Sequence, residues 1–194
     1  MSHAVFLLAA VNFGLIAALP RIFFKSGRFT LLWWLTASPF FLSGVAIAAS
    51  LLGLLPLFLG SSTPAGRIAS AVATLAYAAA LALIGFTLGT HRIPVSLWHQ
   101  VDDPPQHIVT WGAYAYIRHP FYASFLLTLT GSLLLAPNWG TLAACLAGLV
   151  MLNATAAREE RRLSASEFGE EYRRYLEHTG RFFPHLTAFS GGRS

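Results

Sequence analysis

Two polar clusters separated by apolar sequence carry the residues most able to do chemistry. The first is Gly112-Ala113-Tyr114-Ala115-Tyr116-Ile117-Arg118-His119-Pro120-Phe121-Tyr122. The second is Glu159-Glu160-Arg161-Arg162-Leu163, continued by Phe168-Gly169-Glu170-Glu171-Tyr172-Arg173-Arg174-Tyr175 and closed by Arg181 and Pro184. Carboxylates beside a histidine and several tyrosines can move a proton or hold a cation: the carboxylate supplies charge and the aromatic faces supply a quadrupole. His119 and Glu160 are the candidates for a catalytic acid or base, with no commitment to one. Free amides at a helix that starts at Pro120 could hold an anionic group. Adjacent residues point about 100° apart on a helix, so Glu159 and Glu160 should divide their work. One faces a site; the other faces solvent or an arginine. A carboxylate at the end of a membrane helix is costly unless used or paired, which singles out Glu159.

The bland readings are weighed beside these. Arg118 could simply snorkel at an interface, and Pro120 could simply start a helix. Neither accounts for His119, Tyr114, Tyr116 and Tyr122 clustered with them. The segment His91 to Tyr122 holds His91, His99, His107 and His119 with Asp102 and Asp103. The histidines lack the i, i+4 spacing of a helical zinc pair, and Asp102-Asp103-Pro104-Pro105 reads as a loop breaker, so no metal is expected. Phosphate-binding, dinucleotide-binding and serine-nucleophile motifs are absent. The lone Cys145 lies in an apolar run, which excludes an intrachain disulfide and reads as a small buried apolar residue.

The elements that must position these clusters are membrane spans. Of 194 residues, 55% are hydrophobic and 11% are charged, against about 25% charged in soluble domains. The expected fold is all-α: a polytopic membrane helix bundle of about five transmembrane helices plus a cytosolic C-terminal amphipathic helix. The expected spans are Ala4 to Leu19 extended by Ile22 to Phe24, Leu31 to Leu59, Ile68 to Thr90, Phe121 to Leu135 and Gly140 to Ala156. The first lacks a basic leader and a small-residue cleavage site, so it reads as retained rather than as a signal peptide. The second is overlong, and Pro39 and Pro56 should kink or end it. The fourth could gain length from Tyr116 to Pro120. Ala136-Pro137-Asn138-Trp139 is a tight turn. Arg158 to His178 reads as one amphipathic helix with Gly180 as its stop.

All eight acidic residues lie at position 102 or later, so any carboxylate chemistry belongs to the second half. With the N-terminus outside, 12 of the 13 basic residues fall on the inner side and only Arg67 falls outside, as the positive-inside rule expects. Both polar clusters then face the cytoplasm, in a multi-pass protein of a bacterial-type inner membrane. The net charge of +5 does not point to nucleic acid, because the basic residues sit in loops between apolar spans. They read as topology signals and contacts to membrane lipid. No obligate protein partner is evident. The chain reads as a single membrane domain, 1–194, with three spans in 1–90 and the reactive half in 91–184.

Gly112-x-Tyr114, Arg118-His119-Pro120-x-Tyr122 and Glu159-Glu160-x-x-Leu163 with Phe168-Gly169 and Tyr172 resemble the isoprenylcysteine carboxyl methyltransferase family. The related phospholipid N-methyltransferases share the pattern. The resemblance covers about residues 106 to 184. It implies a membrane-embedded methyltransferase using S-adenosyl-L-methionine (SAM) at the cytosolic membrane edge. By that resemblance the cofactor residues are Gln106, His107, Ile108, Val109, Tyr114, His119, Pro120, Phe121, Tyr122 and Glu159. The first 90 residues would be the acceptor-side scaffold. The family arginine one turn before the Glu-Glu pair, which helps hold a substrate carboxylate, is replaced here by Thr155. Arg158 and Arg181 are the candidates for that duty.

The leading expectation is therefore a SAM-dependent methyltransferase acting on a lipophilic small molecule or lipid headgroup, with the acceptor atom (O, N or S) open. The alternatives are a prenylcysteine carboxyl methyltransferase proper, a membrane reductase using NADPH, or a non-catalytic relative that keeps the fold.

Overall fold

The computed structural model describes residues 3–23, 31–90 and 108–185. They form an all-α bundle: α1 His3–Phe23, α2 Leu31–Leu51, α3 Pro64–Thr90, α4 Pro120–Leu135, α5 Trp139–Ser164 and α6 Gly169–His178. A 3-10 turn, Gly112–Ala115, precedes α4. By length and composition α2 (over Trp34–Leu51), α3 and α5 can cross a membrane, while Ala4–Leu19 and α4 are shorter apolar helices. At 16 residues α4 rises about 24 Å, short of a bilayer core of about 30 Å. It compensates by position, because α4 is the hub against which α1, α2, α3 and α5 all pack. The outer helices instead turn Val45, Leu75 and Val150 outward, each about two-thirds exposed (67%, 69% and 68%). Such side chains on α2, α3 and α5 suit lipid.

Local chemistry sets each helix end. Thr63 caps α3, its hydroxyl accepting from the Gly66 amide at 3.0 Å, with Pro64 in the first turn. Asn138 and Thr141 form a reciprocal capping box at the start of α5. Asn138 also donates to the Ser50 hydroxyl at 2.9 Å, tying the α4–α5 turn to α2. Pro39 stays inside α2. The Leu35 carbonyl, which loses its usual donor there, accepts from the Ser38 hydroxyl at 2.7 Å.

Three expected elements differ. The second span stops at Leu51 rather than Leu59, because the chain turns at Gly53 with φ +73°, a left-handed conformation glycine adopts freely. Residues 116–119 do not extend α4; Ile117 instead makes a parallel backbone bridge with Gly180. The tail is not one helix from Arg158 to His178. It breaks at residues 165–168, where the Ser166 hydroxyl donates to the Leu163 carbonyl at 2.7 Å and accepts from the Phe168 amide, replacing helical bonds with a serine turn.

A buried polar ladder ties α1, α3 and α4. Asn12 donates to the Leu8 and Tyr77 carbonyls and accepts from Thr128 at 3.1 Å. The Tyr77 hydroxyl pairs with Ser132 at 2.9 Å. Gly131 makes room for the Tyr77 ring, since a Cβ there would lie 3.1 Å from it. At one end of the bundle the α2–α3 loop meets the α4–α5 turn around a small void lined by Leu59, Ser61, Gly66 and Pro137. Arg67 is the described basic residue at that end. The polar clusters lie at the other end, and the void takes no part in them.

Candidate active site

The hairpin of α4 and α5 brings the two polar clusters into contact. Arg118, His119 and Tyr122 stand at the start of α4; Glu159 and Glu160 stand in the last turns of α5. The Tyr122 hydroxyl donates to Glu159 Oε1 at 2.7 Å. His119 stands between the two carboxylates: its Nε2 is 3.3 Å from Glu160 Oε1 and its Nδ1 is 3.5 Å from Glu159 Oε2. The His119 and Tyr122 rings stack, with centroids 5.3 Å apart and planes within 4°.

The glutamates divide their work as adjacent helical residues must. Glu160 is buried and takes the arginines: Arg118 Nε at 3.0 Å, Arg181 Nε at 3.0 Å, and Arg181 through a second guanidinium nitrogen. Ionised amid these donors, it is acceptor-only, so His119 gives it the Nε2 proton. The imidazole then turns Nδ1 towards Glu159. Glu159 has no guanidinium within ion-pair distance among the described residues; its partners are Tyr122 and His119. A carboxylate held by a phenol and an imidazole rather than by arginine is complementary to a group with several protons to give, such as an ammonium.

The loop before α4 is pinned by Gly112. Its φ is +61°, and a Cβ there would lie 2.3 Å from the Thr90 hydroxyl oxygen. That hydroxyl accepts from the Ala113 amide at 3.1 Å, fixing the turn to the end of α3. The Tyr114 carbonyl accepts from the Tyr175 hydroxyl of α6 at 2.6 Å. Burial, then the neighbouring Tyr175 and Glu159, push the Tyr114 phenol well above its ordinary range, so it remains a neutral donor with an aromatic face.

Of the residues the resemblance singles out, Ile108 and Val109 are half-buried ahead of the turn, and Pro120 and Phe121 are buried in the first turn of α4. Gln106 and His107 lie outside the described residues, as do His91, His99, Asp102 and Asp103. The two candidate substrate arginines part company. Arg158 is exposed and bonds back to the Ala154 carbonyl at 3.3 Å. Arg181 is committed to Glu160 and to Asn153 Oδ1 at 2.6 Å. Thr155 is buried, its hydroxyl turned back to the Met151 carbonyl at 2.9 Å. Sequence reasoning missed Asn153, Thr179 and Phe182. Asn153 is an isolated amide in an apolar helix, a signal that could have been read. The parts of Thr179 and Phe182 depend on the chain folding back.

Residues 73–165 match the model of the isoprenylcysteine carboxyl methyltransferase (ICMT) family. Over that stretch, just under half of its length, the chain is similar to the ICMT family. The matched region runs from the middle of α3 to just past α5 and contains Gly112, Tyr114, His119, Tyr122, Glu159 and Glu160. No curated protein and no solved structure matches the chain. That likeness points to an integral membrane methyltransferase, in keeping with the apolar bundle.

Proposed function

We propose that this protein, similar to the ICMT family, transfers a methyl group from SAM to a lipophilic small molecule or a lipid headgroup at the cytoplasmic face of the membrane. The observation that carries the reading is the Glu159 carboxylate, held by the Tyr122 hydroxyl and 3.5 Å from His119 Nδ1, beside aromatic rings and with no guanidinium within ion-pair distance among the described residues. That donor set fits the ammonium of an amino-acid moiety, and the aromatic faces of Tyr122 and Tyr114 suit a sulfonium cation. Pro120 and Phe121 open the helix that carries Tyr122, and by the resemblance Ile108 and Val109 would complete the cofactor's surroundings. When bound, SAM supplies an electrophilic methyl group on sulfur.

The protein's own contribution is positioning and exclusion of water, which in-line displacement rewards strongly. Tyr122 holds Glu159 by one hydrogen bond, and the hairpin keeps that carboxylate at the membrane edge. A thiolate or carboxylate acceptor needs no base, whereas an amine must first be neutral. Glu160, saturated by arginines, has no free lone pair to serve as that base. Thr155, together with the commitment of Arg118 and Arg181 to Glu160, favours an acceptor other than a prenylcysteine carboxylate. The crowding of described arginines at the Glu160 end, against Arg67 at the other, supports a cytoplasmic C-terminus.

The test is SAM titration by calorimetry on purified protein in nanodiscs. Wild type should bind, and Glu159→Gln should weaken binding about tenfold or more, the worth of one charge-assisted hydrogen bond. Folded wild type that ignores SAM but quenches with NADPH would replace this reading with the reductase. Binding of neither would favour a non-catalytic relative.

A further inference from the structure

The chain after α6 returns to the start of α4 and is clipped there by paired backbone and side-chain bonds. The Arg118 amide donates to the Gly180 carbonyl at 2.8 Å and the His119 amide to the Arg181 carbonyl at 3.1 Å. The Arg118 guanidinium bonds the Leu176 and Thr179 carbonyls at the C-terminal end of α6, where a cation also meets the negative end of the helix. Phe182 packs edge-on to the His119 ring at 6.3 Å. Gly180 is required for the fold-back, because a Cβ there would lie 1.7 Å from the Phe183 carbonyl oxygen. All of this converges on Glu160, 7% exposed, which joins α5 to Arg118 ahead of α4 and to Arg181 on the strap.

We propose that Glu160 is a positioning residue: keyed by Arg118 and Arg181, it fastens the strap Thr179–Phe182 against the start of α4 and sets the tautomer of His119, so that Nδ1 faces Glu159. Arg181 and Asn153 belong to the same fastening rather than to acceptor binding. A general base needs a free lone pair directed at the substrate, and Glu160 spends its own on two guanidinium groups and an imidazole. The consequence for SAM rests on the function proposed above; the fastening and the tautomer do not.

The test compares wild type with Arg181→Ala and Glu160→Gln in nanodiscs by three measurements: amide hydrogen exchange, nitrogen NMR of labelled histidine, and SAM affinity. Both variants should speed exchange of the Arg118 and His119 amides about tenfold or more, as loss of charge-assisted bonds implies, and leave amides within α3 unchanged. Glu160→Gln offers the ring an amide donor and should move His119 away from the Nε2–H form. SAM should bind both variants about tenfold more weakly, since Nδ1 no longer faces Glu159 steadily. Unchanged exchange at Arg118 and His119 in Arg181→Ala overturns the fastening, and an unchanged histidine spectrum in Glu160→Gln overturns the tautomer. Lost turnover with exchange and SAM affinity intact would make Glu160 a base after all. Should Glu160→Gln not fold, Arg181→Ala, altered on the strap outside the bundle, still decides. Should wild type not bind SAM, the methyltransferase reading falls while exchange and the spectrum still judge this inference.

Discussion

Among individual residues, neighbours of one type have opposite duties. Glu159 and Glu160 are chemically identical, yet one accepts from a tyrosine and the other from two guanidinium groups. Replacing Glu160 by alanine strands Arg118 and Arg181 together, and breaking such a buried pair costs roughly 3–5 kcal/mol. We expect a large fall in melting temperature for Glu160→Ala and a small one for the exposed Arg158→Ala, measured in the same detergent. Tyr122→Phe keeps the ring stacked on His119 and removes only the hydroxyl. SAM affinity should fall by about fivefold, the worth of one ordinary hydrogen bond, and less than in Glu159→Gln. Gly112→Ala must accept both a left-handed φ of +61° and the Thr90 side chain in its Cβ position. The cost should be on the order of 1–3 kcal/mol, seen as faster exchange of the Ala113 amide.

Among the elements, α4 is decisive. It is too short to be an ordinary lipid-facing span and is shielded by its neighbours. Three of its polar residues point inward: Ser124, Thr128 and Ser132 are fully buried, and Thr128 and Ser132 reach Asn12 and Tyr77. Hydrogen bonds between membrane helices are worth about 0.6 kcal/mol on average and up to about 1.7. Asn12→Leu should therefore destabilise the bundle by about 1 kcal/mol, read from its melting midpoint, and leave SAM affinity unchanged because the site lies one helix end away. Gly131→Leu should cost more, since the added side chain meets the Tyr77 ring and pushes α3 from α4.

Across the whole molecule, polarity is segregated by end. The end with Ser61 and Arg67 is apolar and sparsely charged; the opposite end gathers Arg118, the α5 arginines, α6 and the strap. If the positive-inside reading holds, single cysteines at Ser61 and Ser166, in a Cys145→Ala background, should react with an impermeant maleimide from opposite sides of the membrane. Labelling of both from one side would refute the proposed orientation. The arrangement gathers most of the described ionisable groups at one end of the bundle, with apolar outer surfaces of the helices suited to lipid.

The sequence alone determined that the protein is a helical membrane bundle, and it named the candidates for its chemistry. Apolar length, uneven charge and the His119–Tyr122 and Glu159–Glu160 spacings are properties of short stretches, so they can be read without a fold. Helix ends set by one or two residues were likewise legible, as with Pro120 and the Asn138 turn. The early stop of α2 and the break after Ser164 were less so, because each depends on a backbone conformation or a serine bond competing with helix propensity. Tertiary structure alone decided how the two glutamates divide their duties. Arg118 reaches Glu160 through the α4–α5 hairpin and Arg181 because the chain folds back after α6, and no periodicity in the sequence encodes a pairing between residues 42 and 21 positions from their partner. Sequence spacing can name a carboxylate, but the charges that surround it in space determine whether it binds a ligand or fastens the fold.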